Sequence, residues 1–294
     1  MAVLSKGNLF EPQLVTDLIN KVKGKSSLAV LSAQTPIPFN GVKEFVFNMD
    51  KEIDIVAENG KKTEGGGSFN PVIITPIKFE YGMRMSDEFM YASEEEQINH
   101  LKAFNDGFAR KVAKGLDLAA FHGINPRTGL ASEVVGANNF DSKVTKTVNY
   151  SESTPDANIE EAIQMVEDAE GEVTGLAIST KVRADLAAMK NSANEKLYPD
   201  FAFGGKPSSL GGNKLDINKT VSNGNKDHAI VGNFEECFKW GYSKEIPLEI
   251  IEYGDPDNSG KDLKGYNQVY LRSEIYLGWG ILDADSFARV VVAG

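Results

Sequence analysis

Apolar residues alternate with polar ones from Ile77 to Met85: Phe79, Tyr81 and Met83 share a face with them, while Lys78, Glu80, Arg84 and Ser86 take the other. A period of two predicts a strand with one covered face. A weaker alternation over 42–57, with Phe45 and Phe47 and then Ile53 and Ile55 around Asp54, predicts an earlier strand, and the two can pair as a long hairpin. Between them, 58–68 carries Asn59, Gly60, Lys61, Lys62, Glu64 and the run Gly65, Gly66, Gly67, which predicts an exposed and mobile tip.

The period then changes. Ser93 with Glu96 forms a capping box, and Ile98, Leu101, Phe104, Phe108, Val112, Leu116 and Ala119 recur every three or four residues. The helix this predicts runs to about Phe121, roughly 42 Å at 1.5 Å per residue and about twice the usual length. Gly123, Asn125 and Pro126 stop it. A shorter amphipathic pattern over Glu11 to Lys25 (Leu14, Leu18, Ile19, Val22) ends before Thr35-Pro36-Ile37-Pro38, where missing amide donors forbid a helix. It reads as an N-terminal arm.

Beyond Pro155 helices and strands alternate. Ile159, Ala162, Ile163, Val166 and Ala169 mark one helix, Val173 to Ile178 a buried strand, and Ser179 or Thr180 the cap of a helix holding Val182, Leu186 and Met189. A Gly-, Ser- and Pro-rich loop over 198–212 precedes strands expected near His228–Val231, Pro247–Tyr253 and Gln268–Trp279. The fold class is α+β.

Charge narrows the function. Acidic residues outnumber basic ones 42 to 31, a net charge of -11 that argues against tight direct binding to nucleic acid. A single cysteine, Cys237, forbids an intrachain disulfide, and no apolar run reaches the ~18 residues of a membrane span. No membrane partner is expected, and synthesis in a bacterial-type cytoplasm is.

Catalytic and ligand chemistry fares poorly. The three histidines, His100, His122 and His228, show no paired ligand spacing, and the first two are expected to be exposed or to cap the long helix. Cys237 lies between carboxylates that would raise a thiol pKa. Gly204-Gly205-Lys206-Pro207 lacks the earlier glycine and the hydroxyl residue of a phosphate loop. Asp255, Asp257, Ser259 and Gly260 begin like a calcium loop, but Tyr266 stands where the bidentate glutamate is needed, so a solvated hairpin tip is expected instead. No catalytic residue, cofactor or metal is expected. One chemistry stays open: Lys51, Lys61 and Lys62 could form isopeptide bonds with an Asn of another subunit if a buried carboxylate took up the proton.

The order of elements resembles the major capsid proteins of tailed bacteriophages, the Hong Kong 97 type capsid fold. The residues that carry the resemblance are Lys78-Phe-Glu-Tyr-Gly-Met-Arg-Met-Ser-Asp-Glu-Phe-Met90, Phe121-His-Gly-Ile-Asn-Pro-Arg-Thr-Gly-Leu130, His228-Ala-Ile-Val-Gly-Asn-Phe-Glu-Glu-Cys-Phe and the stretch Tyr270 to Val291. Asn233 stands where Asp is more usual. The resemblance implies an N-terminal arm (1–41), an extended hairpin or E-loop with its leading strand (42–90), a peripheral domain with the spine helix (91–154), an axial α/β domain (155–253) and strands returning to the peripheral domain (254–294). Many relatives carry a scaffolding segment before the arm, so either a separate scaffolding protein or a chain numbered from its mature form is expected.

The implied function is structural: self-assembly through hexamers and pentamers into an icosahedral virion head around double-stranded DNA, without sequence-specific contact. Scaffolding protein and portal are the implied partners. Asn59, Gly60, Lys61, Lys62, Gly65, Gly66 and Gly67 would form the assembly tip, with Ile98, Leu101, Phe104, Phe108, Val112 and Leu116 as the spine-helix core. Two alternatives are an encapsulin-like compartment, which gene neighbours would distinguish, and a soluble α+β enzyme or binding module, which a persistent monomer would favour.

Overall fold

The structure is a computed structural model and describes residues 26–224 and 226–292. The helix expected over Glu11 to Lys25 lies outside the described residues. The first element is α1 (Ser27–Leu31), capped by the Ser26 hydroxyl, which accepts from the Ala29 amide. Thr35 then donates its amide to the Trp240 carbonyl at 2.8 Å. This close approach needs Gly241, because a Cβ there would lie 1.7 Å from the Thr35 carbonyl oxygen.

An antiparallel two-stranded ribbon follows, made of β1 (Val42–Met49) and β2 (Gly67–Ile74), with Phe45 opposite Pro71 and Met49 opposite Gly67. This corrects the expected hairpin. The earlier strand ends at Met49 and leaves Ile53 and Ile55 in an irregular loop, 90% and 96% exposed. Its partner is β2, which Pro71 disguises in the sequence; a two-stranded ribbon has only edge strands, so the missing amide costs little. Strand β3 (Ile77–Ser86) pairs instead with β10 (Gln268–Ile281), a partner nearly two hundred positions away that no local pattern announces.

The long helix α2 spans Glu94–His122. Ser93 caps it by accepting from the Glu96 amide, and Gly123 ends it in the left-handed region at φ 66°. Next come α3 (Phe140–Lys143), β4 (Thr147–Asn149), α4 (Pro155–Glu167), β5 (Gly175–Ile178), α5 (Thr180–Ala188), β6 (Ser209–Leu210), β7 (Asn213–Ile217), β8 (Asp227–Gly232) and β9 (Phe238–Ile251). The chain closes through β10 and β11 (Phe287–Val291). Strands β3, β10 and β9 form one sheet, and β4, β11, β8, β5, β7 and β6, in that order, form another.

Two stretches cross the boundaries expected from sequence. Residues 238–251, placed with the axial stretch, pair in the three-stranded sheet, and 287–291, placed with the returning strands, pair in the six-stranded sheet. The six-stranded sheet has its own core, in which α4 and α5 bury Ile159, Ala162, Val166, Val182 and Leu186. A larger core gathers Phe121, Phe140, Phe287, Trp240 and Trp279 around the second half of α2, and a smaller one holds Leu101 and Phe104 against Phe89, Leu248 and Leu271. Among the described residues no helix is long and apolar enough to cross a membrane.

Candidate functional site

The six apolar positions expected to anchor the long helix do so, divided between two cores. Leu101 and Phe104, with Ile98 partly buried beside them, serve the small one, while Phe108, Val112 and Leu116 serve the large one. Phe79 from β3 stacks edge-on against Trp279 at 6.4 Å, and Tyr81 lies 6.0 Å from Phe104, so the apolar face of β3 lies over α2.

The β1–β2 ribbon is the opposite case. Phe45, Met49 and Ile73 lie on one face and remain 65%, 71% and 58% exposed. Pro71 shares that face opposite Phe45 and is also exposed. A contiguous exposed apolar face of this kind marks an interaction surface. At the tip, Asn59, Gly60, Lys61, Lys62, Gly65, Gly66 and Gly67 are all exposed. Gly60 closes a turn through its amide to the Ala57 carbonyl at 2.8 Å.

The three successive glycines have different roles, and none of the three has positive φ. Gly67 opens β2. Gly66 donates its amide to Asp50 Oδ1 at 2.7 Å, so closely that a Cβ would lie 2.8 Å from Asp50 Oδ2. Around Gly65 a Cβ would meet nothing. Lys51 Nζ donates to the Glu64 carbonyl at 3.1 Å, which ties the two arms of the loop together, while Lys61 and Lys62 are exposed.

Sequence reasoning missed two buried charge clusters. In the first, Asp117 of α2 accepts from the hydroxyls of Ser26 and Thr220 and from the amides of Ser27 and Leu28, so it pins α1 and the 219–221 turn to the long helix. Burial pushes its carboxyl up to about 6, although these donors pull the other way.

The second cluster corrects the expectation for His122, which is buried rather than exposed or capping. Its Nε2 lies 3.0 Å from the Thr220 carbonyl oxygen and so carries a proton, while Nδ1 faces Asp141 at 3.0 Å and Asp227 at 3.5 Å. Arg289 of β11 reaches both carboxylates, at 2.7 Å from Asp227 and 3.1 Å from Asp141. Burial drags the imidazolium down, but hydrogen bonds to Asp141 and Asp227 and their charges outweigh it and hold its pKa at about 9. For Asp227 burial pushes up, yet His122 and Arg289 bring the carboxyl below its ordinary range.

His122, Asp141 and Asp227 could converge on a metal ion. The charges speak against one: two carboxylates are balanced by a guanidinium and an imidazolium already in place. Asp141 Oδ1 and Asp227 Oδ2 lack an aligned hydrogen bond, but each lies within 3.5 Å of one of these cations. The cluster is an ionic joint between the end of α2, α3 and the six-stranded sheet.

The remaining motifs behave as loops. Asp255 and Asp257 hold Arg84 of β3, each at 2.6 Å, where a calcium ion would have sat. Lys206 bonds the Ile217 carbonyl at 3.2 Å. Cys237 is partly buried, and burial raises its thiol pKa, with Asp283 and Glu236 adding to the effect against a hydrogen bond from Ser286.

A long helix flanked by an extended ribbon, a three-stranded sheet and a separate six-stranded sheet is the architecture of shell-forming capsid proteins of the Hong Kong 97 type. The chain belongs to the phage capsid family, which it matches over residues 6–292. It is a major capsid protein, a structural component of the virion. A solved structure from Mycobacterium phage Ogopogo is similar to it with a TM-score of 0.78 at 31% identity, covering 92% of both chains. One from Gordonia phage Cozz gives 0.76 at 24% identity, covering 92% of this chain and 87% of that one. The capsid of a native GTA particle gives 0.65 at 15% identity, covering 91% and 90%, which speaks to the fold alone. No curated protein sequence matches the chain significantly.

Proposed function

We propose that this chain is the repeating subunit of an icosahedral phage head, assembled in the bacterial cytoplasm through hexamers and pentamers and enclosing double-stranded DNA. The observation that carries this is the exposed apolar face of the ribbon, with Phe45, Met49 and Ile73 standing off the body. Such a face is satisfied by a neighbouring copy, and contacts of that head-to-tail kind close into rings. The ribbon, the three-stranded sheet and the first half of α2 form the peripheral part of the subunit, and the six-stranded sheet with α4 and α5 forms the axial part. Scaffolding protein and portal are the expected helpers, and the role is structural rather than enzymatic. Lys61 and Lys62 are free to meet a neighbour at the tip, whereas Lys51 is occupied within it.

Sedimentation of the purified chain, alone and with a scaffold, tests this. Capsomers or closed particles are expected. A species that stays at 32.0 kDa across concentrations overturns the proposal.

A further inference from the structure

The exposed side of α2 changes sign along its length. Its first turns expose Glu95 and Glu96, and its second half exposes Arg110, Lys111 and Lys114. At about 100° per residue these three cations fall within an arc of roughly 100°. That arc points away from Phe108, Val112 and Leu116, which are buried on the other side. Arg127 joins them from the connection after the helix. The ring of its neighbour Pro126 lies 3.3 Å from where a Cβ on Gly115 would stand, so the connection passes beside this stretch of helix, and Arg127 itself is exposed.

Among the described residues none of these four side chains makes an ion pair, whereas Arg84, Arg272 and Arg289 each grip carboxylates. The acids closest along the helix do not neutralise them. Asp117 is buried and taken up by the Ser26 segment, and Asp106, one turn before Arg110, has a partner of its own. Ala103 and Gly107 share the cationic arc. A Cβ on Gly107 would meet nothing within 4 Å, so no bulk stands between the cations and a large approaching surface. The four cations stand exposed as a local concentration of positive charge in a chain of net charge -11.

We propose that the stripe formed by Arg110, Lys111, Lys114 and Arg127 faces the lumen of the shell and touches the phosphate backbone of the enclosed duplex. The inference rests on the shell reading above and adds which side of the subunit meets DNA. Exposed arginine and lysine side chains along one helix face suit contact with phosphate oxygens, which carry no sequence information. Four such contacts in an otherwise acidic subunit hold the polymer weakly and leave it free to slide. On the ribbon face itself Phe45, Met49 and Ile73 are apolar, while the loop between β1 and β2 carries exposed Glu52, Asp54, Glu58 and Glu64, so the shell-yield measurement below separates duplex contact from contact between copies.

The test compares the full chain with its Arg110→Gln, Lys111→Gln, Lys114→Gln triple variant, glutamine being a good helix former. A Lys190→Gln, Lys261→Gln, Lys264→Gln variant controls for net charge. Binding of a short labelled duplex is measured across a salt series, and shell yield is measured in parallel. For the wild type, four phosphates predict a log–log slope of about -3.6, and for the triple variant a slope shallower by about 2.7, with the control close to wild type. Shell yield is expected to be unchanged. An unchanged slope in the triple variant, or an equal loss in the control, overturns the proposal. Loss of shells with duplex binding intact also overturns it, because the stripe would then be a contact between copies. A wild-type chain that forms no shells overturns the shell reading, and the lumen assignment with it, whatever the slope.

Discussion

Replacing Phe45 and Met49 by threonine probes the ribbon without touching the core. Both side chains lie on the outward face of β1 and are 65% and 71% exposed. Threonine keeps the strand preference of the backbone, so the isolated subunit should lose less than about 1 kcal/mol. Covering a large apolar side chain completely contributes about 1.5–3 kcal/mol, and some two thirds of that is still unrealised in the subunit. If a neighbouring copy covers both, each ribbon contact weakens by about 2–4 kcal/mol in the variant. At 1.4 kcal/mol per decade, the midpoint is a loss of association of roughly 100-fold. Light scattering against concentration reads this as a critical concentration for assembly raised by about two orders of magnitude, while circular dichroism reports an unchanged melting temperature. An unchanged critical concentration would refute the reasoning, as would a melting point that falls in step with assembly.

Three further outcomes follow from particular contacts. Gly66→Val drives a side chain onto the Asp50 carboxylate, 2.8 Å from the site of its Cβ, and should disorder the loop end of the ribbon and lower shell yield while subunit melting stays within a few degrees; normal particles would remove the tip from assembly. His122 has a folded pKa raised from 6.5 to about 9, so the joint contributes ~3 kcal/mol that is fully present below 6.5 and lost as pH rises through about 9. Melting curves of wild type and His122→Gln should therefore converge toward the alkaline end, and a constant difference between them would contradict the assigned joint. Phe108→Asp puts an unpaired carboxylate into the large core and should cost several kcal/mol, leaving insoluble protein; soluble, folded variant by circular dichroism would contradict the placement of that face.

What could be read from the sequence was local and periodic. The capping box at Ser93, the apolar rows of α2 and the Gly123 stop placed the long helix to within a residue, because each is a short-range consequence of backbone hydrogen bonding. Strand partners were not legible in the same way. Gly67–Ile74 was hidden by Pro71, and the pairing of β3 with β10 depends on residues far apart in the chain. The ionic joint was also missed, although a signal existed: Arg289 and Asp227 are charges inside apolar strands, and buried charges come in pairs. The short strands β4, β7 and β11 are too brief to show a period. For the exposed tip the composition was sufficient, but the reason for its glycines was not, since Gly66 answers to Asp50 rather than to a left-handed backbone.

Electron cryo-microscopy of particles formed by the expressed full-length chain tests the central claim most directly. A closed icosahedral shell is expected, with the outward face of each β1–β2 ribbon, Phe45, Met49 and Ile73 included, covered by an adjacent copy. Finding that face open to solvent in the assembled particle, or packed back onto its own chain, would contradict the claim that copies of this protein complete its apolar surface.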